Sequence, residues 1–302
     1  MADFRTMTAA PLPVIVNTSG GTARRAGDEL ADMLKTAFRD AGREIVLELV
    51  EGRDIPAALE RHADAPRVAV GGGDGTLGGA AGAIARRGGE LAVLPLGTRN
   101  HFAGQLGVPA DLPAAAKLAA HGRARAADLG EANGRTFINN FSVGAYVDLV
   151  RAREHSRLPK LLATVPATWR TLRKLRSRPF ELEVDGARRT IETPLLFVGN
   201  NRYKVRDGRP GEREALDDGL LDCYAVASLS RAALIATALR TLIARPRMHR
   251  DFVLDCTATE LRIEGPGHAL DAALDGERVR FDLPLAIRIC PRALSVVAPP
   301  SD

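Results

Sequence analysis

Residues 67–76 constrain the fold more than any other stretch of the chain. An apolar run, Val68-Ala69-Val70, passes straight into Gly71-Gly72-Gly73-Asp74-Gly75-Thr76, and an Ala-rich segment follows to Arg87. A short β-branched run, a glycine-rich turn and a helix former in succession read as strand, loop and helix. Glycines at such a junction let a phosphate approach the backbone closely. The helix start adds free N–H donors and the positive end of a dipole. Thr76 is expected to cap that helix.

The same alternation surrounds this junction. Leu12–Asn17 reads as a strand running into Ser19-Gly20-Gly21, and residues from about 23 to 41 have helical spacing (Leu30, Met33, Leu34, Ala37, Phe38). Ile45–Val50 reads as a strand, Ile55–His62 as a helix, and Leu91–Leu94 as a strand ending at Pro95. Strands alternating with helices predict a doubly wound α/β domain with a largely parallel sheet. A second loop, Pro95-Leu96-Gly97-Thr98-Arg99-Asn100-His101-Phe102-Ala103, leaves the fourth strand. Ligands of open α/β sheets bind beyond the carboxyl ends of the strands, so both loops are expected to line one crevice. Thr98 and Asn100 are either nucleotide hydrogen-bonders or turn and N-cap residues.

The pattern changes after Asp128. Phe180–Gly186 alternates and then turns at Asp185-Gly186, which predicts a hairpin. Leu195–Gly199, Leu221–Ala227, Val253–Ile263 and Arg278–Phe281 read as further strands, with an Asp275-Gly276 turn before the last. Short strands joined by turns predict an antiparallel β-rich second domain. The expected division is residues 1–128 and 129–285, and strands near 286–302 are able to complete either domain.

Composition narrows the class. The 302 residues are 45% hydrophobic and 26% charged, as in soluble globular proteins. Length sets a soft expectation of about two domains. No apolar run reaches the roughly 18 residues of a membrane span, and the N-terminus lacks a signal-peptide pattern. A cytoplasmic protein is expected. Its net charge of +5 does not by itself imply nucleic acid, and 4% aromatic content argues against base-stacking platforms. The three cysteines (Cys223, Cys256, Cys290) are too few for a disulfide framework. Cys223 and Cys256 fall in expected strands and read as small buried hydrophobes. His155 and His249 stand alone, and Arg202-Tyr203-Lys204 reads as a solvated loop after a strand.

Residues 151–178 carry nine Lys or Arg residues, including Arg170, Arg173 and Lys174, against Glu154, with Leu158, Leu161, Leu162, Val165, Trp169, Leu172 and Leu175 between them. Such a segment either lies on an anionic membrane interface or packs as a solvated helix on its own domain.

The glycine loop itself points to phosphate chemistry. Gly73-x-Gly75-x-x-Gly78 matches a dinucleotide fingerprint, yet it follows the third strand and the next strand carries no ribose-binding acid. No Lys-Ser/Thr follows, so it is no Walker A loop. Asp74 beside a phosphate is tolerated where Mg²⁺ intervenes or where the carboxylate accepts a proton. That combination suggests Mg-nucleotide phosphates and phosphoryl transfer.

With these residues in view, the chain resembles the diacylglycerol kinase catalytic-domain superfamily, and within it the bacterial soluble lipid kinases, which are related to sphingosine kinases. The matching pieces are Val16-Asn17-Thr18-Ser19-Gly20, Gly72-Gly73-Asp74-Gly75-Thr76, Pro95-Leu96-Gly97-Thr98-Arg99-Asn100, Asp217-Asp218-Gly219-Leu220 and Asp275-Gly276-Glu277. The resemblance implies an N-terminal nucleotide domain, a C-terminal antiparallel β-sandwich domain, an active-site cleft between them, and a last strand that returns to the N-terminal domain. It implies ATP contacts at Asn17, Ser19, Gly72, Gly73, Gly75, Thr76, Thr98 and Asn100. It implies a structural Mg²⁺ at Asp218 with the carbonyls of Ala215 and Leu220. Asp275 matches the general base and Glu277 a residue that helps hold the nucleotide's Mg²⁺, with Asp74 competing for the base role. The implied activity is ATP-dependent phosphorylation of a lipid hydroxyl of diacylglycerol type. A degenerate regulator that binds nucleotide or lipid, and an NAD kinase-like enzyme, are the alternatives. The implied partners are the lipid substrate and, peripherally, an anionic membrane; oligomeric state stays open, a homodimer included. Three positions depart from the pattern: His101 replaces the usual Asp, Gly78-Gly79 replace Asn-Glu, and Thr18 replaces Pro.

Overall fold

Four six-residue runs form the first four strands: β1 (Leu12–Asn17), β2 (Ile45–Val50), β3 (Arg67–Gly72) and β4 (Glu90–Pro95). The computed structural model describes residues 10–144, 177–204, 212–227, 252–265 and 267–300. Arg170, Arg173, Lys174, almost all of the basic segment, His155 and His249 lie outside these residues. The chain divides into two units, residues 1–125 with 294–302, and residues 126–293.

In the first unit the strands lie in the order β2-β1-β3-β4 and pair in parallel. The central strands are continuous apolar runs because both faces are covered. α2 (Leu30–Asp40) packs with α6 (Leu112–His121), and α3 (Ile55–Arg61) with α4 (Asp74–Arg86). Right-handed crossovers put these pairs on opposite faces, because the chain reverses direction across the sheet at β1 and β3. This is the doubly wound arrangement expected. The single helix expected over 23–41 is instead α1 (Gly21–Ala26), a 3₁₀ turn at Gly27–Glu29, and α2. Gly27 breaks it with a left-handed φ of 53°.

The second unit holds two antiparallel sheets. Its strands are β5 (Arg123–Ala132), β6 (Arg135–Phe137), β7 (Asn140–Gly144), β8 (Arg178–Val184), β9 (Ala187–Thr193), β10 (Leu195–Asn200), β11 (Leu221–Val226), β12 (Phe252–Ala258), β13 (Glu260–Glu264), β14 (Ala269–Leu274), β15 (Glu277–Asp282) and β16 (Leu285–Ala298). One sheet runs β12-β11-β10-β7-β14-β15, and the other contains β16-β13-β8-β9. Phe141, Val143, Val198 and Ala272 from the first meet Leu182, Leu261, Ile263 and Ile287 from the second in one core. Alternating strands supply that core, which is the construction of a β-sandwich. Both expected hairpins form, at Asp185-Gly186 and Asp275-Gly276. The end of β16 belongs to the first unit, where Ser295 and Val296 pair in parallel with Glu90 and Leu91 of β4.

Val253–Ile263 is not one strand. It breaks at Thr259 into β12 and β13, which belong to different sheets. The Asp185 carboxylate fixes the break by accepting the Thr259 hydroxyl at 2.8 Å and the Glu260 N–H at 2.9 Å. No helix among the described residues is long and apolar enough to cross a membrane.

Candidate active site

The first unit presents three loops at the carboxyl ends of β1, β3 and β4. β3 and β4 are paired neighbours up to Gly72 and Pro95, and β1 lies on the other side of β3. The reversal of strand order at β1 and β3 makes this the switch point where open sheets take their ligands.

Glycine makes the loops fit against one another. A Cβ on Gly97 would collide with the Gly73 backbone and the Asn100 side chain, and a Cβ on Gly21 would collide with the Leu96–Gly97 backbone. A hydrogen bond from the Thr22 N–H to the Leu96 carbonyl, 2.8 Å, joins the first loop to the third. Main chain meets main chain at these crossings, with Asn100 the one side chain against Gly97, so the loops pack as one unit.

Polar side chains then brace that surface. Asn17 donates from Nδ2 to the Thr76 hydroxyl at 2.8 Å and accepts the Ser19 N–H at 2.9 Å. Thr76 lies inside α4 and serves this brace. It does not cap the helix, since Gly73 occupies the N-cap with extended backbone. Asn100, at a left-handed φ of 52°, accepts the Gly97 N–H and donates to the Pro95 and Gly97 carbonyls. Its amide therefore stabilises the loop from within. Ser19, Thr98 and His101 are exposed, while Gly72 is buried at the end of β3.

Asp74 links two loops. Its carboxylate accepts the backbone N–H of His101 at 3.2 Å and of Phe102 at 3.0 Å, and so caps α5 (His101–Leu106) from the start of α4. Each oxygen takes one N–H and retains a further acceptor position, so the group suits a Mg²⁺ carried in by phosphates. The imidazole of His101 is not part of this link; its backbone is.

The second unit holds the other predicted acids. Asp275 occupies a two-residue turn with φ 49°, followed by Gly276 at 84°. Its carboxylate accepts three consecutive backbone N–H groups: Ile138 at 2.9 Å, Asn139 at 2.7 Å and Asn140 at 3.0 Å. Glu277 is exposed at the start of β15.

At Asp218 the surroundings differ from a metal loop. Asn201 Nδ2 (2.8 Å) and the Leu220 N–H (3.1 Å) donate to Oδ1. The Arg202 N–H and Nε, each at 3.2 Å, donate to Oδ2. The Leu220 carbonyl, an expected ligand, accepts the Asn201 N–H at 2.9 Å. Four donors, one of them the Arg202 guanidinium, already saturate the carboxylate, so this donor set does not fit Mg²⁺ as placed. Among the described residues no group of three His, Cys, Asp or Glu side chains is gathered for a metal. Ala215, whose carbonyl is the remaining expected ligand, is half-buried.

Several buried polar residues escape a reading by motif. Asp128 is 1% exposed and accepts Asn201 Nδ2 at 2.6 Å, the Gly219 N–H at 2.7 Å and the Arg292 N–H at 2.6 Å. Arg213 is 6% exposed and donates to the Ile138 and Asn200 carbonyls and to Asn139 Oδ1. Tyr203 is also buried, which corrects the solvated-loop expectation for Arg202-Tyr203-Lys204. Its N–H donates to Asp222 and its hydroxyl to the Asn139 carbonyl at 3.1 Å, and burial pushes that hydroxyl up to about 12. The only sequence signal was a polar run, Asn200-Asn201-Arg202, directly after an apolar strand.

Comparison with known proteins agrees with this architecture. Residues 11–132 match the diacylglycerol kinase catalytic domain, and residues 141–298 match the YegS C-terminal NAD kinase beta sandwich-like domain. A protein of Pseudomonas aeruginosa strain PAO1 named "Probable lipid kinase YegS-like" is 32% identical over 286 residues, covering 88% of this chain and 91% of its own. One of Klebsiella pneumoniae strain 342 with the same name is 27% identical and covers 97% and 98%. The crystal structure of a diacylglycerol kinase from Bacillus anthracis str. Sterne superposes with a TM-score of 0.68 at 22% identity over 96% of this chain and 97% of that one. With both of its domains matched in order and a full-length relative above 30% identity, the chain belongs to the diacylglycerol kinase catalytic-domain family, in its YegS-like branch.

Proposed function

We propose that this protein transfers the γ-phosphoryl group of ATP to the hydroxyl of a lipid of diacylglycerol type. One observation carries the reading: three glycine-packed loops at the switch point of the sheet bring main chain, partly exposed at Gly73 and Gly75, beside a carboxylate, Asp74, that still has acceptor capacity. The family membership and the names of the relatives support it. Phosphoryl transfer needs positioning and charge neutralisation more than covalent chemistry from the protein.

In this reading the backbone around Gly73, Gly75 and Gly97 receives the phosphates, with Ser19 and Thr98 as exposed hydroxyls beside it. Asn17, Thr76 and Asn100 keep the loops in register. Mg²⁺ bound with the nucleotide supplies neutralisation of the phosphate charge, and Asp74 is the carboxylate offered to it. Asp275 takes the proton of the attacking hydroxyl, an assignment that rests on its match to the family motif, as does the role of Glu277. Residues 151–178 bring the protein to an anionic membrane, where its substrate resides.

The test is incubation with Mg²⁺, γ-labelled ATP and vesicles of a broad lipid extract, with Asp74→Asn as control. Label in a lipid species, lost in the variant, is the expected result. Intact ATP binding with no labelled lipid would favour a regulator without catalysis, and His101 at the usual Asp position is the feature that would account for it.

A further inference from the structure

We propose that Cys223 and Cys256 form a redox-active thiol pair, in which the partly exposed Cys256 reacts with a peroxide and the buried Cys223 closes a disulfide.

The two residues are direct partners in the antiparallel ladder of β11 and β12, between the pairs Leu221↔Ala258 and Ala225↔Leu254. Directly opposed residues have Cα atoms about 4.5 or 5.5 Å apart, depending on their place in the ladder. Disulfides span about 4.4–6.8 Å between Cα atoms, so either case falls within that span. As directly opposed residues, both side chains point to the same face of the sheet and face each other across the ladder.

Their environments divide the labour. Cys223 is fully buried, whereas Cys256 is partly exposed on the outer strand of its sheet. The hydrogen bond from Cys223 draws the Cys256 thiol below its ordinary range, against the effect of burial, and the charge of Arg189 assists. The same hydrogen bond, together with burial, raises Cys223 well above that range. The thiolate is the nucleophile and must meet the oxidant, and Cys256 is the thiol that solvent reaches, so Cys256 is the residue that reacts first. Cys290 lies on β16 in the other sheet, and burial raises its thiol. It has neither feature.

The chemistry balances with hydrogen peroxide as oxidant. The Cys256 thiolate attacks one peroxide oxygen, the O–O bond breaks, and the departing hydroxide leaves as water after gaining a proton. The product is a sulfenic acid. The Cys223 sulfur then displaces its hydroxyl, which leaves as a second water with the Cys223 proton. Two thiols lose two electrons and peroxide gains two. A small dithiol reverses the reaction by exchange. The disulfide closes a covalent loop from 223 to 256, which restricts the unfolded chain.

The full-length protein is treated with hydrogen peroxide, quenched, and examined by thiol titration under denaturing conditions and by non-reducing peptide mass mapping. Titratable thiols are expected to fall from three to one, with a Cys223–Cys256 linked peptide. Thermal unfolding should rise by about 5 °C and return after dithiothreitol. Cys290→Ser should behave as the parent apart from its missing thiol. Cys223→Ser should accumulate a dimedone-trappable sulfenic acid at Cys256. Cys256→Ser should form no intramolecular disulfide. The parent measurement stands alone if Cys223→Ser fails to fold. Three thiols retained by the parent, a linkage through Cys290, or a sulfenic acid persisting at Cys256 without a disulfide would each overturn the proposal.

Discussion

The carboxylate of Asp275 accepts the backbone N–H of Asn139 at 2.7 Å, across 136 positions of sequence. Ile138 and Asn140 donate to the same group. Three backbone donors in a row form a concave anion seat that the turn residue fills. Asp275 is thus a structural anchor of the second unit whatever chemistry it performs.

Replacing Asp275 separates the two roles. Asp275→Asn keeps one oxygen but turns an NH₂ toward backbone donors, which leaves at least one N–H without an acceptor. Urea unfolding should show a loss of about 1–3 kcal/mol. Phosphoryl transfer should fall at least about 100-fold, the scale of a lost general base. Loss of stability with full activity would remove Asp275 from the catalytic group and leave it as an anchor.

Asp74→Asn should act differently. The two N–H groups of α5 lose a charged acceptor at a site that is only partly buried, so unfolding should move by about 1 kcal/mol. Lipid phosphorylation should fall about 100-fold or more, because the carboxylate offered to Mg²⁺ is gone. Isothermal titration with ATP, with and without Mg²⁺, reads the distinction. The parent should bind more tightly with the metal, and the variant should lose most of that difference.

Two glycine substitutions test the packing of the loops. Gly97→Ala drives a Cβ into the Gly73 backbone and should cost about 2–4 kcal/mol while abolishing ATP binding. Gly79, inside α4, has nothing within 4 Å of the position a Cβ would take. Gly79→Ala should stabilise by about 0.5–1 kcal/mol, because alanine loses less backbone entropy in a helix. Thermal unfolding of both variants measures the contrast. A Gly97→Ala protein that binds ATP as the parent does would show that the loops are not built around this contact.

Most of the first unit was legible because β1, β3 and β4 are built on apolar runs that end in glycine-containing loops. Val68–Val70 and Gly71–Thr76 show their roles through local chemistry alone. The second unit was legible in its hairpins, where Asp185-Gly186 and Asp275-Gly276 demand positive φ at both positions. It was not legible at Thr259, where an unbroken strand pattern passes from one sheet to the other. The cause of that break is the side chain of Asp185, 74 positions away. For the same reason Asn17, Thr76 and Asn100 look like ligand residues in sequence, while the fold shows Asn17 and Thr76 bonded to each other across two loops and Asn100 bonded within its own. Sequence gives the residue types that suit a phosphate. It does not reveal which of them are already satisfied.

Arg213 is the clearest case of a residue without a sequence signal, and it supports the Asp275 seat from behind. Its guanidinium donates to the Ile138 carbonyl at 2.6 Å and to Asn139 Oδ1 at 3.1 Å, two residues whose N–H groups hold Asp275. It also donates to the Asn200 carbonyl and lies over the Tyr203 ring, 5.9 Å from its centroid. Arg213→Met removes these donors from a buried site and should cost about 3 kcal/mol in urea unfolding. Arg213→Lys keeps the charge but lacks the planar fork, so it should recover part of that stability and little of the geometry. Because the Asn139 segment then shifts under Asp275, kcat should fall in the Lys variant while the KM for ATP stays near that of the parent. A Lys variant with unchanged kcat would show that Arg213 supports the core of the second unit without setting the position of Asp275.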